Sequence, residues 1–88
     1  MCRSIRPLNN LAPPATDTEV HEAALQYVRK IAGARVPSQA NQAAFDAAVA
    51  AIQQATRDLV DSLTTTAPPR NREQLAAAAR ERSARRFG

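Results

Sequence analysis

The sequence predicts an all-α fold made of an extended N-terminal arm, an antiparallel two-helix hairpin and a weakly packed basic C-terminal helix. Three observations lead there. Helix start and stop signals bracket residues 16–33 and 38–63. Within both segments apolar residues recur in steps of three and four, the spacing of a buried helix face. After Pro68-Pro69 the chain turns to Ala, Arg, Glu and Gln, which favour helix but supply almost no apolar face.

The arm comes first. Ile5, Leu8 and Leu11 recur every third residue, which lets the arm pack on the hairpin despite Pro7, and Pro13-Pro14 stops regular structure from running on. Thr16-Asp17-Thr18-Glu19 then reads as a capping box, with Asp17, Glu19 and Glu22 at the positive end of the helix dipole and Arg29 and Lys30 at the negative end. Val20, Ala24, Tyr27, Val28 and Ile31, widened by Leu25, give one face expected to be buried, and Gly33 ends the helix. The connection over 33–37 is short enough for a hairpin, and Ser38 stands where a cap for the second helix is needed. That helix runs to about Leu63, with Phe45, Val49, Ile52, Thr56, Leu59 and Leu63 as its seam. Ala48, Ala55 and Val60 make the seam wider than a coiled coil requires, so a globular packing face is expected ahead of coiled-coil dimerisation. Helices of about 15 and 25 residues leave an overhang of up to roughly 15 Å that another chain can cover. Asn71 is placed to cap a third helix over 73–86, where Arg82 and Arg86 flank Leu75 and spoil any apolar stripe, so this helix is expected to fray or stand free.

Composition narrows the function. The chain has 88 residues and 9.5 kDa, and alanine fills 20 of the positions behind its 44% hydrophobic content, so any core is shallow and a second copy is one way to complete it. The body, residues 1–68, balances its charges, whereas the segment 69–88 carries the whole excess of +4. We therefore expect a helical domain over 1–68 and a basic tail over 69–88. A single cysteine excludes an intrachain disulfide and suits a reducing cytoplasm. No run of residues is long and apolar enough to span a membrane, and the opening residues lead us to expect no secretory signal before Cys2.

Catalytic signatures are absent. Two glycines cannot build a phosphate loop, and no Ser-His-Asp pattern can be singled out, so the expectation leans away from an enzyme and no cofactor is predicted. Two sites stay open on residue chemistry. Removal of Met1 would leave Cys2 with a free amine beside its thiol, a pair able to chelate a metal ion or act as a nucleophile, with Arg3 and Arg6 favouring the thiolate. His21, the only histidine, is the one imidazole available to such a metal site, against the plainer reading of a partly exposed structural histidine. Cys2 is equally readable as a small residue tolerated after the start. Arg3 and Arg6 are also candidates for anion or partner contact, and in the tail Arg80, Arg82, Arg85 and Arg86 can meet phosphates or acidic proteins. They spread around the helix and lack interleaved aromatics, so a merely solvated tail is the competing reading.

Met1-Cys2-Arg3-Ser4-Ile5-Arg6, Pro13-Pro14-Ala15-Thr16, the run from Ala23 to Lys30, and Pro37-Ser38-Gln39-Ala40-Asn41 with Phe45 resemble the small bacterial proteins grouped as domain of unknown function 2277. Ala67-Pro68-Pro69-Arg70 and the closing Ala84-Arg85-Arg86-Phe87-Gly88 extend the resemblance over nearly the whole chain. Ser4 stands where the family pattern usually has Asn, and Ala32-Gly33 where it has Ser-Gly. The resemblance implies no activity and no catalytic residues. The expected function is a non-enzymatic helical interaction module whose partner is another protein or a second copy, with nucleic acid as a further candidate for the tail. The alternative is a metal-binding or thiol-redox protein using Cys2.

Overall fold

The computed structural model describes residues 5–87, and the side chains of 5–85. In chain order it contains strand β1 (Leu11–Ala12), helix α1 (Asp17–Ala32), a 3-10 turn (Gln39–Asn41), helix α2 (Gln42–Ser62), strand β2 (Arg70–Asn71) and helix α3 (Arg72–Phe87). The fold is all-α with one small addition: β1 and β2 pair in parallel, Leu11 against Arg70 and Ala12 against Asn71.

Helix α1 begins and ends as its sequence dictates. The Glu19 amide donates to Thr16 Oγ1 at 3.1 Å and the Thr16 amide donates to Glu19 Oε1 at 2.9 Å, completing the capping box. Gly33 takes a left-handed conformation, φ 69°, and its amide and that of Ala34 both donate to the Arg29 carbonyl. A Cβ at Gly33 would meet nothing within 4 Å, so the backbone angle and not lack of space selects glycine here.

Helix α2 starts later than expected. The Ser38 hydroxyl accepts from Asn41 Nδ2 at 3.1 Å and caps no amide; the chain makes one 3-10 turn and enters α2 at Gln42 with no side-chain cap. The two helices run antiparallel, since Asp17 meets Arg57 while His21 meets Gln53. With 21 residues in α2 against 16 in α1, the overhang shrinks to about 7.5 Å.

The core is thin: Val20, Ala24 and Val28 of α1, Phe45 and Val49 of α2, and Ala15 from the arm. Tyr27 and Ile31, expected on the buried face, are 46% and 70% exposed, and Leu59 and Leu63 of the expected seam are also exposed. The cause is geometric. Each helix of a lone hairpin meets one neighbour, so only the middle of its apolar stripe is covered and the flanks stay open.

Helix α3 is capped by Asn71, whose Oδ1 accepts the Gln74 amide at 3.0 Å, and beyond its first residue, Arg72, its backbone lies chiefly against β2, the segment just before it. Leu75 remains 41% exposed. The molecule measures 43 × 37 × 18 Å with a radius of gyration of 15.6 Å. A compact domain of this length has a radius near 12 Å.

Candidate functional site

The open flank of the hairpin forms a groove of about 430 Å³ at the end where α1 hands over to α2. Tyr27 and Ile31 line it from α1; Ala44, Phe45, Ala48 and Ile52 line it from α2. Its only polar side chains are the Tyr27 hydroxyl, Ser38 and Asn41, and among the described residues no carboxylate, histidine, lysine or arginine lines it. What it offers is apolar area beside two helices, the setting in which an amphipathic helix docks.

A second cluster fastens the chain ends together. Arg72, the first residue of α3, grips Glu19 with both terminal guanidinium nitrogens, Nη1 to Oε2 at 2.6 Å and Nη2 to Oε1 at 2.7 Å. Its Nε donates to the Pro13 carbonyl at 2.7 Å and Nη2 also donates to the Pro14 carbonyl at 3.1 Å. These charge-assisted bonds from Arg72, with the Thr16 amide, hold the Glu19 carboxyl down at about 2 against an ordinary 4.5. The same contact raises the Arg72 guanidinium further above its usual value. Beside it the Arg70 guanidinium donates to the Asn9 carbonyl, and Asn10, at φ 57°, sends Nδ2 to the carbonyls of Ala67 and Pro68. Arg57 adds a brace from α2, reaching Asp17 at 3.1 Å, the Ala15 carbonyl at 3.3 Å and Asp61 at 3.0 Å. Asp61 and Asp17 raise its pKa in turn.

The residues singled out from the sequence do not converge among the described residues. Cys2 and Arg3 lie outside them. His21 is exposed on the flank of α1, where Nδ1 lies 2.8 Å from Gln53 Oε1. Among the described residues no group of three His, Cys, Asp or Glu side chains is placed to hold a metal ion. Arg6 is exposed at the arm. Arg80 and Arg82 are exposed on α3, Arg85 pairs with Glu81 one turn back, and Arg86 continues the helix with its side chain outside the described set. No described helix is long and apolar enough to cross a membrane.

Arg70, Arg72 and Asn10 are the residues that sequence reasoning missed. Asn9-Asn10 is a turn signal, but nothing local in it points to carbonyls 57 and 58 residues away.

No curated protein and no solved structure matches this chain. A family model described as "Uncharacterized conserved protein (DUF2277)" matches residues 1–78, which takes in the arm, the hairpin, the Arg72 fastening and the first turns of α3. The chain thus belongs to the DUF2277 family of uncharacterised conserved proteins.

Proposed function

We propose that this protein is a non-enzymatic helical interaction module that works in the cytoplasm. The hairpin groove receives the apolar face of a protein partner, and the tail arginines Arg80, Arg82, Arg85 and Arg86, which leave from the other end of the hairpin, add separate anionic contacts. The division proposed with it is a helical body over 1–68 and a basic tail over 69–88, fastened to the body by Arg70 and Arg72. The observation that supports this reading is the groove itself: Tyr27 and Ile31 stand 46% and 70% exposed along a cleft without a charged lining residue. Apolar surface concentrated in one patch, rather than scattered singly, marks a contact site in a soluble domain.

Photo-crosslinking in a bacterial host tests it. A photoreactive residue at Ile31 or Ala48 is expected to give covalent adducts whose second polypeptide is identified by mass spectrometry. The same residue at Gln54, exposed elsewhere on α2, is expected to give none. Adduct yield should fall when the four tail arginines are changed to serine. Absence of adducts from both groove positions overturns the proposal.

A further inference from the structure

Resting on the interaction-module reading, we infer that the partner on the groove is a second copy of this chain, turned end for end, so that two hairpins face each other and close a four-helix core. Surface area is the first argument. The isolated chain exposes 6878 Å², whereas a compact monomer of 9.5 kDa exposes about 5,000 Å². The surplus, part of it on α3, exceeds the roughly 800 Å² per partner that a stable interface buries. Each helix of the hairpin packs chiefly on the other and leaves Tyr27, Ile31 and Leu59 exposed, whereas helical domains are stable as two layers around one core. A second hairpin supplies the missing layer.

The groove side of α2 is also suited to meeting itself. Ala44, Ala48, Ile52, Ala55 and Leu59 recur in steps of four, four, three and four and so share one stripe. Around a two-fold axis near Ile52, Ala44 of one copy meets Leu59 of the other, and Ala48 meets Ala55. Large side chains then face small ones away from the axis, and two alanines let the backbones approach beside it. An isologous contact needs this kind of self-complementary patch.

Charge sets the orientation. At the loop end of the hairpin Arg29, Lys30 and Arg35 outnumber Asp46. At the open end of the hairpin Asp17, Glu19, Glu22, Asp58 and Asp61 outnumber Arg57 and the docked Arg70 and Arg72. Turned end for end, each copy lays its positive end over the other's negative end; a parallel pairing would stack like charges.

Sedimentation velocity and native mass spectrometry on the full chain read the outcome. A species of twice the chain mass is expected. Ile31→Asp places a carboxylate at a side chain already 70% exposed, so helicity by circular dichroism should be kept while the dissociation constant rises by more than about 100-fold, because each copy would bury an unpaired charge. Lys30 is the sole lysine, which makes orientation readable. In a mixed dimer of isotopically labelled and unlabelled chains, a zero-length carbodiimide should join Lys30 to open-end carboxylates of the other copy. Links to Asp46 of the other copy overturn the end-for-end arrangement. A chain that stays monomeric at millimolar concentration overturns self-association altogether. In that event groove adducts with a different protein leave the interaction module standing, and their absence removes both proposals.

Discussion

Glu19 serves two masters: one carboxylate oxygen closes the capping box on Thr16, and both receive the Arg72 fork. Its carboxyl sits near 2 in the folded chain and near its ordinary 4.5 when unfolded, so the unfolded state binds the extra proton between those values. The stability contributed by Glu19 is therefore complete above pH 4.5 and falls away as the pH drops towards 2. Thermal melts of Glu19→Gln should lie below wild type at neutral pH, with the gap closing across that window; a gap independent of pH would refute the ion-pair account. Arg72→Lys should also melt lower, because an ammonium cannot span two carboxylate oxygens and two carbonyls at once. Half of this site was legible in the sequence. Thr16 and Glu19 are three residues apart and obey a local rule, whereas Arg72 lies 53 residues from Glu19 and carries the same charge as every other arginine in its segment. Nothing intrinsic to an arginine names its distant partner.

The elements show the same division between local and distant causes. Both ends of α1 were readable because Thr16, Glu19 and Gly33 act on backbone groups within one turn. The start of α2 was misread because Ser38 had two uses for its hydroxyl, and the nearby Asn41 amide took it. That leaves α2 with no side-chain cap and no acidic residue in its first turn. Ala43, exposed in that turn, is the natural place to add one: Ala43→Glu should stabilise the protein by about 0.5 kcal/mol through the helix dipole, seen as a higher urea midpoint at unchanged slope. An unchanged midpoint would mean that the uncapped end is not limiting. The breadth of the buried faces was misjudged for a different reason. Periodicity reports which residues share a helix face, not how many neighbours will cover it, and Tyr27, Ile31 and Leu59 stay open because the hairpin supplies one neighbour each.

At the scale of the molecule, the arm is closed against the far end of the chain through a short strap: β1 on β2, Asn10 on the carbonyls of Ala67 and Pro68, and Arg70 and Arg72 on carbonyls of residues 9, 13 and 14. With six buried side chains in the core among the described residues, these polar contacts hold a larger share of the structure together than they would in a bigger domain. Helix α3 beyond Arg72 contributes little, since its backbone lies chiefly against β2, its neighbour in sequence. Two truncations separate the parts. A chain ending at Ala79 keeps the strap and should melt close to full length, while losing any salt-dependent association owed to the tail arginines. A chain ending at Pro69 loses Arg70 and Arg72, and should melt well below the first, with hydrogen exchange speeding up at the amides of residues 16–20, where Glu19 no longer has its clamp. Equal melting of the two would mean that the hairpin and arm stand without the strap, and that the grip of Arg72 on Glu19 is incidental to the fold.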